Sequence, residues 1–308
     1  MRTDPLPLGP GLHVLERGWL SSNNILLDDG ADAALVDTGH NLHAPQTVAL
    51  LRQRLGARPL RRVINTHLHS DHCGGNAALQ REWDAQVSVP AGSWQAVQDW
   101  DEQALSYAPT GQRCERFSAQ TALQPGQALR IGAREWQVIA APGHDPQSVI
   151  LFDARHGVLI SADALWHNGF GVVFPELEGD AAFDDVARVL DLIGRLPVRW
   201  VIPGHGAPFD DVADALQRAR SRLDGLRADP ARHLRHGAKV LLKYHLMEVQ
   251  RQPLAELRGW LHRTPLMPSI WIQLGRPQGT HAAWCEQLLQ EALASGILVR
   301  HGDIVHDA

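Results

Sequence analysis

The chain has 308 residues, 44% of them hydrophobic, with a formal net charge of -5 and a pI near 6.4. That apolar content is ample for a sizeable core, and the acidic balance excludes a globally basic nucleic-acid binder. Three cysteines make no disulfide framework, no apolar stretch is long enough to span a bilayer, and Met1-Arg2-Thr3-Asp4-Pro5 lacks the apolar run of a secretion signal, so a cytoplasmic protein without membrane contact is expected.

Short β-like runs open the chain at His13–Leu15, Asn24–Leu27 and Ala33–Val36, with Asp29-Gly30 as the turn between the last two. Asp37 closes the third run, where an aspartate suits a turn. Leu50, Leu51 and Leu55 predict a helix ending near Gly56, and Val63-Ile64 predicts the next strand. Directly after it comes Thr66-His67-Leu68-His69-Ser70-Asp71-His72, which packs four potential metal ligands into six consecutive residues. Neutral imidazole and carboxylate are ligands for a divalent cation such as zinc. In extended chain His67, His69 and Asp71 share one side and His72 does not, so one loop can feed two neighbouring metals.

Gly74-Gly75 then allow a turn into a helix over Asn76–Trp83, and Val87–Pro90 predicts another strand. Residues 91–120 are polar and Gln-rich, and predict helix and loop over the site. In the second half, strands are predicted at Trp136–Ala140, Ser148–Phe152, Val158–Ser161 and Arg199–Ile202, with Phe183, Val186, Leu190 and Ile193 on one helix face. Three of these strands precede further candidate ligands: His144 beside Gly143, Asp163 after Ser161-Ala162, and His205 between Gly204 and Gly206. Loops at strand ends are where a rigid sheet can aim side chains at a common point.

Beyond Asp211, Val212, Leu216, Leu223 and Leu226 predict an amphipathic helix that breaks at Asp229-Pro230. Residues 238–250 predict a further helix, Pro253 begins another, and Thr280 caps a third that Gly296 stops. Ile297–Val299 and Ile304-Val305 form a terminal hairpin, and this order of helices and hairpin resembles a winged-helix module. Periodicity alone supports a mixed α/β chain.

The set His67, His69, Asp71, His72, His144, Asp163 and His205 resembles the ligand set of the metallo-β-lactamase-fold superfamily of hydrolases. The resemblance covers roughly residues 10–225. It implies an αββα sandwich over 1–225, followed by a smaller, mainly helical, winged-helix-like domain over 226–308. It also implies two divalent metals, one held by His67, His69 and His144, the other by Asp71, His72 and His205, with Asp163 bridging. Asp37 corresponds to a position that supports the ligand loop without touching metal. The helical tail belongs to a branch with thioesterase-like and ribonuclease-like members.

Zinc is the expected metal, although His and carboxylate also suit iron and manganese. A water shared by two metals ionises near neutral pH and attacks a carbonyl or phosphorus centre, with Asp71 orienting it and no Ser or Cys nucleophile needed. Trp166, His167, Asn168, Phe170, Phe174 and Pro175 follow Asp163 and are candidates for one wall of a substrate pocket. Tyr107 and the polar 100–117 region are candidates for the other. An apolar wall favours a small acyl substrate, a thioester or related ester, over a bare phosphate. Cys73 beside His72 is expected to be a packing residue. The basic stretch from Arg218 to Lys243 keeps open a phosphodiester or RNA hydrolase, and nucleic acid is disfavoured as a partner because no aromatic interleaving accompanies it. A lactonase, an iron redox protein and a metal-bound regulatory protein are further alternatives. The full ligand set favours hydrolysis over the redox reading.

Overall fold

The computed structural model describes residues 8–30 and 32–308, and the N-terminal pentapeptide considered above for a leader lies outside them. Strand alternation builds its first sheet. β1 (Leu12–Leu15), β2 (Asn24–Asp28), β3 (Ala33–Val36), β4 (Arg62–Ile64), β5 (Gln86–Pro90) and β6 (Thr121–Leu123) lie side by side in that order. The first three form an antiparallel meander, and β3 to β6 run parallel. The second sheet has the order β11 (Trp200–Pro203), β10 (Val158–Ala162), β9 (Val149–Asp153), β8 (Arg134–Ala140), β7 (Ala128–Ile131), antiparallel except for the β10–β11 pair.

Successive residues point to opposite faces, and both faces of both sheets are apolar here. Ile25, Leu27, Val36 and Ile64 face the opposing sheet, where they meet Trp136, Val138, Leu151 and Ile160. Leu26, Leu35, Val63 and Val87 face outward, against Leu51 and Leu55 of α1 (Ala44–Leu55). Beyond the single turn α2 (Ser70–Cys73), α3 (Asn76–Trp83) adds Leu79 to that layer. α4 (Trp94–Asp99) and α5 (Tyr107–Thr110) supply the helical part of residues 91–120. On the other side, Phe152, Leu159 and Val201 pack on α7 (Phe183–Arg195) and α8 (Val212–Ala228), beyond the short α6 (Phe174–Glu178). The result is the expected αββα sandwich. Each fully buried Leu, Ile or Val contributes about 1.5–3 kcal/mol, so these three apolar layers dominate its stability.

The helical tail has its own apolar cluster, which also takes in Leu177 of α6. It comprises α9 (Pro230–Val249), α10 (Leu254–Arg263), α11 (Leu266–Gln273) and α12 (His281–Ala294). A small antiparallel sheet accompanies them, in the order β12 (Arg251–Pro253), β14 (Ile304–Asp307), β13 (Leu298–His301). The helix expected over 238–250 starts eight residues earlier: Pro230 takes its first turn, and the Asp229 carboxylate accepts from the backbone N–H of Arg232. Pro at the first helical position loses only an N–H that has no helical partner. The same Asp229-Pro230 pair thus ends α8 and begins α9.

Asp229→Ala should therefore cost about 1 kcal/mol and lower the melting temperature by about 2–4 °C. Thermal denaturation followed by circular dichroism checks this, and an unchanged melt would show that the cap carries no stability.

Candidate metal centre

The ligand loops sit at the carboxyl ends of strands from both sheets. His67 follows β4, His144 follows β8, Asp163 follows β10 and His205 follows β11, while α2 carries Asp71 and His72. Parallel β3 and β4 in one sheet, and co-directional β8, β10 and β11 in the other, bring all of these ends to one edge of the sandwich. Backbone bonds then stitch the two sheets at that edge, Val149 N–H to Thr66 O at 2.8 Å and Asn23 N–H to Gly204 O at 2.6 Å, while Ser22 N–H to Asp71 O at 2.9 Å ties two loops of the first sheet.

The seven predicted side chains converge and are all buried. His67 Nε2 lies 3.1 Å from His69 Nδ1, which lies 2.8 Å from His144 Nε2. Asp71 Oδ2 is 3.1 Å from His205 Nε2 and 3.8 Å from His72 Nε2. Asp163 stands between the groups, with Oδ1 3.5 Å from His72 Nε2 and Oδ2 3.3 Å from His144 Nε2 and 4.0 Å from His205 Nε2. Three sets of donors, His67/His69/His144, His67/His72/Asp163 and Asp71/His72/His205, each lie within 4.8 Å of one another.

These donors fit divalent metal. Donors at 2.0–2.1 Å around a tetrahedral ion lie about 3.3 Å apart, close to the spacings above. His72 Nε2 is buried with no hydrogen-bond partner, although two carboxylates face it. Burial holds His69 and His144 at a pKa of about 4, so both present neutral imidazoles. Burial opposes the charged form of His72, yet Asp163, Asp37 and Asp71 outweigh it and push its pKa well up. Burial also opposes ionised Asp71, but His72 and His205 hold it at about 2. A dry pocket with this much negative potential is a cation site.

Neighbouring groups fix which nitrogen faces the centre. His144 Nδ1–H donates to Val172 O at 2.5 Å, leaving Nε2 free to ligate. His72 Nδ1–H donates to Asp37 Oδ2 at 2.8 Å. Asp37 also accepts from Thr66 N–H at 2.9 Å and Thr66 Oγ1–H at 2.7 Å, and it is 1% exposed. It therefore clamps β3 to the ligand loop and orients His72, well beyond the role of a turn-former. Asp163 is aimed by Ala162, which holds φ at +47° at a bulge against β11. Gly204 permits the close approach of the next loop, since a Cβ there would stand 2.1 Å from Asp163 Oδ1.

A family model for the metallo-β-lactamase superfamily matches residues 17–205. The chain belongs to that superfamily. An acyl-coenzyme A thioesterase of Bos taurus is 29% identical over 66% of this chain and 80% of its own length. A hydroxyacylglutathione hydrolase of Anaeromyxobacter dehalogenans is 33% identical over 70% of this chain and 76% of its own length. A metallo-β-lactamase family protein of Thermus thermophilus, 22% identical, superposes with a TM-score of 0.57 over 98% of this chain and all of that one, so the shared fold extends through the helical tail. This metallo-β-lactamase superfamily member is a metal-dependent hydrolase that uses divalent ions.

The residues named for the pocket walls divide. Trp166 donates from Nε1 to Asp163 Oδ1 at 3.1 Å, and Phe174 lies over His69 and His144. His167 turns to Asp211 at 3.0 Å, and Asn168 is exposed at the tip of the Trp166–Gly169 turn. Phe170, 1% exposed, belongs to the apolar core beneath Arg222 and edges the small void beside His144 and Asp163. Tyr107 is likewise interior: its hydroxyl donates to Leu68 O at 2.9 Å and meets Cys73 Sγ at 3.1 Å, bracing the ligand loop from behind. Cys73 is buried, as a packing residue would be.

Two groups near the centre escaped the sequence reading. Tyr244 of α9 hydrogen-bonds Ser70 Oγ at 2.7 Å, next to Asp71, and its ring meets the edge of His40. Trp19, 63% exposed, stacks on His205 at 5.5 Å and abuts Trp166. Neither position had a local signal, because each meets the centre only through tertiary packing.

Asp37→Asn replaces an acceptor facing three donors with an amide. Metal affinity, measured by competition with a chromophoric chelator, should fall about 10- to 100-fold with the fold intact. Affinity equal to that of the unsubstituted protein would remove Asp37 from the support of His72.

Proposed function

We propose that the protein is a dinuclear zinc hydrolase of acyl thioesters. The reading rests on Asp163, whose two carboxylate oxygens face imidazoles of both donor groups. That position suits a bridging ligand between His67, His69 and His144 on one side and Asp71, His72 and His205 on the other. Both curated relatives are named for thioester substrates, acyl-coenzyme A and hydroxyacylglutathione, which supports the choice of acyl group transfer to water.

Bound metals supply an acidified water and a Lewis acid for the scissile carbonyl. The chain's residues do the rest. Asp71 and Asp163 stay ionised beside His72 and keep the donor set anionic. Trp166 holds Asp163 in one orientation. Phe174, Trp166 and Trp19 make an apolar rim that excludes water and accepts an acyl chain. Tyr244 ties α9 to the turn that carries Asp71. We place the division between catalytic unit and tail just beyond the expected 225/226, at the Asp229-Pro230 break where α8, packed on the sandwich, gives way to α9 on the tail cluster.

Ion pairing weighs against a phosphodiester substrate. Arg218, Arg220, Arg227, Arg235, Lys239 and Lys243 in the basic stretch each face a carboxylate. Neutralised side chains offer little for counterion release on a phosphate backbone.

Asp71→Ala should reduce thioester hydrolysis more than about 100-fold, because one ligand serves both water and Lewis acid. Tyr244→Phe should lower kcat about 3- to 10-fold, the worth of one hydrogen bond. A panel of acyl-thioesters, lactones and phosphodiesters assayed at about 50 and 200 mM salt tests the class. Thioester turnover that changes little with salt is the expected result. Turnover confined to phosphodiesters, falling steeply with salt, would overturn the acyl reading.

A further inference from the structure

A second group of metal-type donors lies in the helical tail, on helices that carry none of the residues discussed above. His262 is in the last turn of α10, and His281 and Cys285 lie one turn apart at the start of α12. Residues four apart share a helix face, so His281 and Cys285 point the same way, and His281 Nε2 lies 3.4 Å from Cys285 Sγ. α10 packs directly on α12, and the rings of His262 and His281 stand 5.7 Å apart. One donor atom from each of the three residues lies within 4.8 Å of the other two.

Packing accounts for only part of this. Cys285 is 2% exposed and belongs to the tail's apolar cluster with Trp284. His281 is half-buried and His262 exposed. The His281 ring packs on Trp271 and Trp284, at 5.7 and 5.8 Å, but neither contact accounts for a second imidazole, His262, gathered at the solvent side of the thiol. Two imidazoles and a thiol are, by contrast, a borderline-soft donor set of the kind that selects Zn2+ over Mg2+ or Ca2+. Burial pushes the Cys285 thiol up to about 11, so the thiol remains protonated until a cation arrives.

We propose that His262, His281 and Cys285 form a metal site separate from the hydrolytic centre, taking a borderline-soft divalent cation such as Zn2+. Binding deprotonates Cys285, and the proton leaves to solvent with no change of oxidation state. Sγ, His281 Nε2 and one His262 nitrogen become ligands, and the exposed side leaves a fourth position to water. Rotation of the exposed His262 side chain closes the set. The ion would pin the end of α10 to the start of α12.

Anaerobic titration with Co2+ alone tests the site, because a thiolate-to-cobalt charge-transfer band in the near ultraviolet requires a sulfur ligand. The hydrolytic donor set contains only nitrogen and oxygen. The expected result is a saturable band that disappears in Cys285→Ser, weakens at least about tenfold in apparent affinity in His262→Ala, and persists in Cys73→Ser. His262 is exposed, so its loss leaves folding undisturbed even if Cys285→Ser perturbs the tail. The band should also persist in Asp71→Ala, so failure of the thioesterase reading leaves this outcome standing. No band in the unsubstituted protein, a band retained in Cys285→Ser, or one lost in Cys73→Ser would each overturn the proposal.

Discussion

Convergence of lone pairs and negative charge in a dry pocket is the constraint on which the molecule depends. Imidazole nitrogens 2.8–3.1 Å apart, beside two carboxylates, repel one another unless a cation lies among them. No single loop could hold that arrangement. It persists because the ligand loops leave four strands of two different sheets, all at one edge, and because backbone bonds cross between the sheets there. The three apolar layers of the sandwich supply the stability that offsets the cost of this centre.

Local distortions carry the same cost. Ala162 and Asp37 both adopt positive φ, a region that non-glycine residues enter at about 1–3 kcal/mol. Each lies next to the work: Ala162 aims Asp163, and Asp37 receives three hydrogen bonds that hold His72 and the ligand loop. Asp37 differs from the ligands in kind. Its bonds are all to the protein, so it can orient the His72 ring before any metal arrives.

What the sequence disclosed follows from how local each signal is. The run at 67–72 is contiguous, and His144, Asp163 and His205 each follow an apolar strand, so all seven side chains that converge here were legible with no knowledge of packing. The central strands were legible for the same reason. β6 and β7 were not: they are short edge strands with polar residues such as Gln127 and Arg130 in or beside them, and alternation is weak there. α11 was missed because Pro265 and Pro268 interrupt its pattern. The surroundings of the residues expected in the pocket walls were less legible, because burial there depends on distant partners. Tyr107 looks like a pocket residue from its position, but its hydroxyl's bond to the loop backbone at Leu68 makes it interior. Tyr244 and Trp19 were invisible for the converse reason.

The basic stretch of the tail shows how charge read along one dimension misleads. From Arg218 to Lys243 the sequence is cationic, yet its partners Asp184, Asp191, Glu291 and Asp307 come from α7, α12 and the terminal strand. Folding therefore turns a basic run into a set of exposed ion pairs, individually worth little to stability. Together they remove the field that would draw a polyanion. With that field removed, what α9 offers the centre is Tyr244, bonded to Ser70 beside Asp71, and the apolar surface behind it, which suit the small acyl substrate proposed above better than a nucleic-acid backbone.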